Sequence, residues 1–384
     1  YFLGSRSFGW FMMVCTVTMG IYSGLAFYGS PAFFFRSVAG TRAATGFFMT
    51  GLLYPLIGYR LWLVGKQKGY ATSADFLRDR YYSDGYGVLV SLLQLVFTVP
   101  YMALQFVAIG KGISVSTGGA VPFEFGVVFF AVLIGVYVVF GGAKGIGWLD
   151  IFNALIGLVF PVVTAIYIVG AKFGGDWSFM ANTALEKFPT MMDFPGPQGL
   201  WTPGNIFSYM LSGNIVLIVA PHIMPKLYMA KSKKTFQQMA IAGPLMYAWL
   251  GIGIAMLSIV GTAIYKGTLP DAQSDILIPT LVTENAPLIF SILLLWALFA
   301  FALSTTDAFA LSAASIVSND FVKRYGYKNV SDPVERDRKT VNAGKLAILL
   351  MMPIMMYIAI LQPTYIVDYA YSFASPGFAQ IFPA

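Results

Sequence analysis

The side chains best suited to bind an ion lie inside one long apolar run. Leu303-Ser304-Thr305-Thr306-Asp307 places a carboxylate and three hydroxyls within the run from Leu288 to Val317. Polar groups are costly to bury at membrane depth, so such side chains normally line a cavity that holds water or ions. Hydroxyl and carbonyl oxygens are hard ligands of the kind that sodium prefers. The pattern therefore predicts that Ser304 and Thr305 bind a sodium ion.

Helical spacing groups these polar side chains further. On a helix, Ser304, Thr305, Asp307, Ser312 and Ser315 fall within an arc of roughly 160° and share one face. The alternative is that each hydroxyl bonds to the carbonyl four residues earlier and only helps helices to pack. That alternative suits isolated hydroxyls, but it leaves the neighbouring carboxylate without a partner. We therefore favour a cation-binding face.

The composition indicates which kind of element carries this face. Of the 384 residues, 58% are hydrophobic and 11% are charged, whereas a soluble domain carries roughly 25% charged residues. This balance predicts an all-α polytopic membrane protein with a single membrane domain, 1–384. The single Cys15 excludes an intramolecular disulfide, and the single His222 argues against a zinc or haem centre. The net charge of +7 comes from basic residues in the connections between apolar segments, so nucleic acid is not expected as a partner.

Ten apolar segments are long enough to cross a bilayer. Their approximate bounds are 7–35, 47–63, 87–109, 123–140, 148–169, 206–224, 239–265, 288–320, 346–361 and a tenth segment that starts near 365. The first is interrupted by Gly20, Gly24, Gly29 and Pro31, which predicts a broken helix. The eighth would be roughly 50 Å long as a helix, so its end is expected to project into the cytoplasm.

Polar connections set the predicted orientation. The stretch 66–84 and the stretch 226–234 are basic, while 174–204 is a long excursion rich in Pro, Gly and Trp that shows no spanning periodicity and could cap the outer surface. If the first residue is cytoplasmic, eighteen of the 24 Lys and Arg residues lie inside. An excess of three to one agrees with the positive-inside rule and supports the count of ten.

The ten segments divide into two halves of five, about 7–172 and 205–384, with an outer loop at 173–204. Because five is odd, the second half enters the membrane from the opposite side, which is the pattern of an inverted-topology repeat. The chain opens on Tyr1 and stops inside the last predicted helix, so we expect it to be truncated there.

Five short motifs follow one another along nearly the whole chain. They are Tyr1-Phe2-Leu3-Gly4; Phe27-Tyr28-Gly29-Ser30-Pro31; Ala74-Asp75-Phe76-Leu77-Arg78-Asp79-Arg80-Tyr81; Gly141-Gly142 through Trp148-Leu149-Asp150; and Leu303-Ser304-Thr305-Thr306-Asp307 through Asn319-Asp320. In order and spacing they resemble the sodium:solute symporter family, which contains carriers for sugars, proline, pantothenate, monocarboxylates and sialic acid. The resemblance implies a leucine-transporter-type fold, a five-plus-five inverted repeat with broken helices 1 and 6. It also implies a leading helix before the core, which we expect to be missing from this truncated sequence.

The same resemblance assigns ligands to the coupling ion. It implies a sodium site built from the hydroxyls of Ser304 and Thr305 together with the backbone carbonyls of Phe301, Met19 and Tyr22. An unwound helix leaves such carbonyls unpaired, and membranes tolerate this only where the carbonyls line a cavity.

A second cation position is implied by some relatives. Its residues fall on Asp150, Asp307 and Ala308, where this chain has a carboxylate and a methyl group in place of hydroxyls on the eighth helix. A second sodium site, a proton site or release path, and a structural carboxylate therefore all stay open. For Asp150, capping of a helix N-terminus is a further alternative.

The solute site is expected beside the breaks, near the bilayer midplane. The candidate lining residues are Ser23, Ala26, Phe27, Tyr101, Gln105, Asn214 and Tyr371. Gln105 is the strongest of these, because a buried amide needs hydrogen-bond partners, whereas aromatic side chains also serve ordinary packing. His222 is interpreted as a gate or packing residue. The stretch 99–105 and Pro221-His222 resemble the pantothenate and monocarboxylate branch, which favours a small carboxylate.

Taken together, the sequence predicts a sodium-coupled secondary active symporter, not an enzyme, that imports a small organic solute by alternating access. Its expected partners are the solute, Na⁺ and the lipid bilayer of the cytoplasmic (inner) membrane, and the sequence leaves the oligomeric state open. The alternative is a symporter-like membrane sensor module of a signalling protein. A channel is disfavoured because the polar face is compact rather than a ring of identical charges.

Overall fold

The computed structural model describes residues 1–36, 53–196, 199, 201–208, 218, 220–361 and 377–378. Within these residues the chain is mostly helical. The helices are α1 (Trp10–Ile21), α2 (Leu25–Arg36), α3 (Tyr59–Lys68), α4 (Ser73–Tyr81), α5 (Asp84–Ser116), α6 (Phe123–Phe173), α7 (Trp177–Lys187), α8 (Met224–Leu227), α9 (Lys233–Tyr265), α10 (Leu277–Asn285), α11 (Leu288–Ser315) and α12 (Pro333–Ile360).

Spanning helices account for most of the predicted segments. In the described part of the chain, α5, α6, α9, α11 with its extension, and α12 are long and apolar enough to cross a membrane, and the bent pair α1 and α2 is a sixth candidate. α6 has 51 residues, about 77 Å at 1.5 Å per residue, and so is long enough for two predicted spans. Most of predicted segments 6 and 10, and the start of segment 2, lie outside the described residues.

Gly142 divides α6 at the point where the sequence separates the fourth and fifth segments. Its backbone (φ 52°, ψ −165°) lies in a region that is almost exclusive to glycine. The Ala143 N–H donates to the Tyr1 carbonyl at 3.0 Å, and the Tyr1 hydroxyl donates to the Val138 carbonyl at 2.6 Å. Burial raises the pKa of Tyr1 to about 12, so this hydroxyl keeps its proton at neutral pH. The start of the chain therefore holds the turn closed.

Replacing Gly142 with alanine is expected to lower the free energy of unfolding by about 1–3 kcal/mol. The backbone angles disfavour any side chain, and a Cβ would lie 2.9 Å from the Tyr1 ring. Gly145→Ala is the matched control, because a Cβ there meets nothing within 4 Å and alanine gains helix stability. Thermal denaturation in detergent should show a lower midpoint for Gly142→Ala only; equal midpoints for the two variants would contradict this account.

The predicted break in the first segment is present. α1 ends at Ile21, α2 begins at Leu25, and the two are bent by 58°. Gly24 lies in the break, but Gly29 and Pro31 do not interrupt the chain as predicted, because they belong to α2. Pro31 is the second residue of the regular part of that helix, Ser30–Arg36, where its missing N–H removes little helical hydrogen bonding.

The polar connections contain helices that hydropathy does not reveal. Within 66–84, α4 begins with a capping box in which Thr72 and Asp75 satisfy each other's backbone N–H groups. Within 174–204, the Asp176 carboxylate accepts from the Phe179 N–H at 2.9 Å and starts α7. Short capped helices of this kind lack the long apolar stripe on which a spanning prediction depends, so hydropathy indicates neither of them.

α11 is the central helix of the fold. It packs against α1, α5, α6 and α12, and every residue from Ser304 to Ser315 is buried. A helix that is surrounded in this way directs its polar side chains at other helices rather than at lipid. The polar face predicted from the sequence therefore lies inside the bundle.

Candidate cation site

The hydroxyls of α11 meet the end of α1 at the break. The Ser304 hydroxyl donates to the Met19 carbonyl at 2.9 Å and lies 3.2 Å from the Phe301 carbonyl. The Thr305 hydroxyl lies 3.4 Å from the Met19 carbonyl and 3.3 Å from that of Gly20. The carbonyls of a last helical turn have no following N–H groups to accept from, so they are free to serve as ligands.

The spacing of the Thr305 hydroxyl from its two carbonyl neighbours suits a small hard cation, whereas the Ser304 hydroxyl lies at hydrogen-bonding distance from the Met19 carbonyl. Oxygen ligands at about 2.3–2.6 Å from such a cation, as for Ca²⁺, lie about 3.3–3.7 Å apart at right angles. The Thr305 hydroxyl is 3.3–3.4 Å from its two carbonyl neighbours, and both hydroxyl side chains are fully buried. The residues present therefore fit a sodium ion held between α1 and α11.

The predicted ligand Tyr22 and the unpredicted residue Gly20 both lie at the end of α1, next to the break. Tyr22 is the first residue after α1, and its ring packs against Tyr247 and Phe301 at 4.6 and 6.3 Å; the role of its carbonyl stays a prediction. Gly20 was missed, although its carbonyl is among the oxygens nearest to Thr305. Its place in the last turn before the break is the signal that would have found it.

Asp150 belongs to a second buried cluster, which includes a residue that the sequence analysis assigned to a basic connection. The Thr16 hydroxyl donates to Asp150 Oδ2 at 2.5 Å. The Lys226 ammonium lies 3.5 Å from the same oxygen and donates to the Thr16 carbonyl at 2.6 Å. Lys226 is only 3% exposed and Asp150 is fully buried. Lys226 is therefore not a solvent-facing topology signal, and its apolar neighbours on α8 indicate this burial.

Asp307 is the least satisfied carboxylate of the described residues in this region. It is fully buried, and neither of its side-chain oxygens has a hydrogen-bond partner there. The Asp307 carboxylate interacts electrostatically with Asp150 and Lys226. The Tyr137 side chain interacts electrostatically with Asp307 and Asp150. Asp150, Lys226 and Asp307 thus form one charged cluster beside the candidate sodium site.

The predicted solute residues fall into separate groups. The Gly24 N–H donates to Gln105 Oε1 at 2.8 Å, while Gln105 Nε2 and the Ser23 hydroxyl are buried without a partner in the described structure. Phe27 is fully buried and stacks on Phe301 at 4.8 Å, as ordinary packing would require. Ala26, beside it, is half-buried. Predicted Asn214 and Tyr371 lie outside the described residues.

An aromatic cluster brings the predicted gate to the solute candidate Tyr101. The His222 ring stacks on Phe309 at 3.7 Å, and Tyr101 lies 4.9 Å from Phe309 and 6.3 Å from His222. Phe378 also stacks on Phe309, with ring centroids 5.8 Å apart. The cluster thus joins residues of predicted segments 3, 6, 8 and 10, which is compatible with either a gate or packing.

The end of α11 is tied to α4 and α5 by a charged network that the sequence analysis did not assign. α11 continues as a π-helix, Ile316–Gly326, in which buried Asp320 accepts from the hydroxyls of Thr72 and Ser91 at 2.9 and 2.8 Å. The buried Arg78 guanidinium lies 3.8 Å from Asp320 and 3.1 Å from Asp84. Residues of two quoted motifs therefore meet in space.

Comparison with known proteins places this geometry in context. The chain is 27% identical over 266 residues to the sodium/pantothenate symporter of Escherichia coli (strain K12), covering 69% of this chain and 54% of that protein. It is 25% identical over 367 residues to a monocarboxylate transport permease protein of Rhizobium johnstonii, covering 91% and 71%. The chain spans about half the length of several curated relatives that it matches.

The fold is shared with a solved transporter. A substrate-bound, outward-open Na⁺-coupled sialic acid symporter superposes with a TM-score of 0.80 at 19% identity, covering 94% of this chain and 76% of that one. This likeness confirms the predicted leucine-transporter-type class of helical membrane protein. The sequence profile of the sodium:solute symporter family matches residues 1–383. The chain therefore belongs to the sodium:solute symporter family.

Proposed function

We propose that this chain forms the core of a sodium-coupled secondary active symporter that imports a small organic solute across the cytoplasmic membrane. The observation that carries the proposal is the cluster of five oxygens from Ser304, Thr305, Phe301, Met19 and Gly20. Family membership and the shared fold support it.

The position of the ion explains how its binding would be coupled to a conformational change. Ser304 and Thr305 lie on α11 in the second half of the chain, whereas Met19 and Gly20 lie on α1 in the first half. An ion between them stabilises the arrangement in which the two helices are close, and a ligand shifts an equilibrium by its difference in affinity for the two states. Couplings of this kind are typically about 1–3 kcal/mol.

The solute donors lie at the same break. Ser23 and Gly24 follow the ion-binding carbonyls by a few residues, and the Gly24 N–H fixes the Gln105 side chain with its oxygen toward the backbone. Only the oxygen of an amide accepts, so this orientation leaves the Gln105 NH₂ as a buried donor. Ser23, whose hydroxyl is also buried without a partner in the described structure, directly precedes Gly24. Two donors suit a solute with acceptor oxygens, and we infer a small carboxylate.

Uptake into proteoliposomes tests this function. Purified protein should accumulate radiolabelled pantothenate or pyruvate, but not glucose, when an inward sodium gradient is imposed, and should not do so with choline in place of sodium. Equal uptake in sodium and choline would contradict sodium coupling, and accumulation of glucose alone would contradict the carboxylate assignment. Retained sodium binding without uptake of any solute would favour the sensor alternative.

A further inference from the structure

The ammonium group of Lys226 lies where a dissociable cation would be expected. Its Nζ lies 2.6 Å from the Thr16 carbonyl oxygen and 3.5 Å from Asp150 Oδ2, which also accepts a hydrogen bond from the Thr16 hydroxyl. Carbonyl, hydroxyl and carboxylate oxygens are the ligand types that a small hard cation uses. Lys226 is 3% exposed, so few water molecules can reach its ammonium group.

The contact between Lys226 and Asp150 balances a buried negative charge. A fully buried carboxylate without a compensating charge is strongly destabilising, and Asp150 interacts electrostatically with Asp307, a second fully buried carboxylate. Lys226 is the cation of the described structure that forms a salt bridge with Asp150. The other ionisable groups that interact with this cluster are Tyr137, Cys15 and His222. The lysine therefore neutralises Asp150 without an ion from solvent.

The path of the lysine side chain also explains Gly20. A Cβ at Gly20 would lie 2.8 Å from Lys226 Nζ, so a side chain there would push the ammonium away from Asp150. The carbonyl of the same residue faces Thr305 at 3.3 Å. The lysine and the candidate sodium site therefore lie on two sides of one residue of α1.

A cavity gives Lys226 room beside the cluster. It is lined on the polar side by Thr16, His222, Lys226, Ser312 and Ser315. Its volume is about 20 Å³, on a scale where one water molecule needs about 10–15 Å³. The cavity is large enough for one water molecule next to the ammonium. The ammonium contacts Asp150 through Oδ2, whereas Oδ1 is buried without a hydrogen-bond partner in the described structure.

We propose that the Lys226 ammonium is a built-in cation that fills the second cation position beside Asp150, so that this chain binds one dissociable sodium ion and not two. The proposal rests on the function proposed above, since the one remaining ion is that of Ser304 and Thr305. The charge of Lys226 would then determine how many sodium ions are bound in each transport cycle.

Counting bound ²²Na⁺ on the purified protein in detergent, without solute, tests the proposal. Wild type should bind one ion. Lys226→Gln removes the ammonium but keeps Asp150, and should bind two; Lys226→Gln with Asp150→Asn removes both charges and should return to one. Lys231→Gln is the matched control because Lys231 is exposed, and it should bind one.

The outcomes separate the two proposals. Two ions on wild type, or one ion on well-folded Lys226→Gln, would overturn the role of Lys226 while leaving sodium coupling intact. No ion on wild type would instead overturn the proposed function. If Lys226→Gln alone is too unstable for counting, its thermal midpoint should rise with sodium concentration more steeply than that of wild type, because sodium would then replace the missing ammonium; an equal sodium dependence of the two midpoints would overturn the role of Lys226.

Discussion

Replacing Ser304 and Thr305 together with alanine is expected to abolish sodium-driven uptake and to weaken sodium binding by roughly 10²–10⁴-fold. Each hydroxyl contributes one ligand, and an interaction between a neutral polar group and a charge contributes about 1.5–3 kcal/mol. Two such losses amount to about 3–6 kcal/mol, which converts to that change in affinity. Sodium titrations of the purified protein and uptake in proteoliposomes measure both effects.

Thr306→Ala is the control for this prediction. Thr306 is equally buried and adjacent in sequence, but its hydroxyl donates to the Ala302 carbonyl of its own helix at 2.7 Å rather than facing α1. Sodium affinity should therefore stay close to that of wild type. Unchanged sodium dependence in the double variant, or an equal loss in Thr306→Ala, would rule out the site between α1 and α11.

Arg78→Met is expected to destabilise the protein by about 3–5 kcal/mol, which corresponds to a fall of roughly 10 °C in the midpoint of thermal denaturation. The Arg78 side chain is 7% exposed, and its guanidinium faces Asp75, Asp84 and Asp320. Gly87 lets it lie against α5, since a Cβ there would be 2.5 Å from Arg78 Nε. Without the guanidinium, buried Asp320 loses its cation and is repelled by nearby Asp75, which keeps an ion pair with Arg324 at 3.8 Å.

Two further variants show whether charge is the cause. Arg80→Met, two residues away on an exposed side chain, should change stability by no more than about 0.5 kcal/mol. Adding Asp320→Asn to Arg78→Met removes the stranded carboxylate and should restore at least half of the loss. A midpoint for Arg78→Met equal to that of Arg80→Met would show that the network contributes little.

Local signals in the sequence were sufficient for the polar face of α11 and for the break after α1. Hydroxyls beside a carboxylate stand out in an apolar run, and glycine at positions 20 and 24 marks the place where a helix loses its regularity. Each feature is therefore indicated by residue types that lie within a few positions of it in the sequence. The fold class followed from the number and order of apolar segments together with the quoted motifs.

Contacts between distant parts of the chain were not predictable in the same way. Lys226 follows an apolar segment and precedes other lysines, so composition assigns it to a solvated connection; only the packing of α8 against α1 shows that it faces Asp150. The pairing of Thr72 with Asp320 joins residues that are 248 positions apart. Short-range patterns contain no information on which buried charges meet across such separations.

The continuity of α11 with its π-helical extension has a mechanical consequence. Thr305 and Asp320 lie on one uninterrupted helical rod, about 20 Å apart along its axis, with α1 held at one point and α4 and α5 held at the other. A rod that tilts about its middle moves its two ends in opposite directions. Opening of the break beside α1 and loosening of the Arg78 network would then occur together, and a variant at either end should change the rate at which the other end opens.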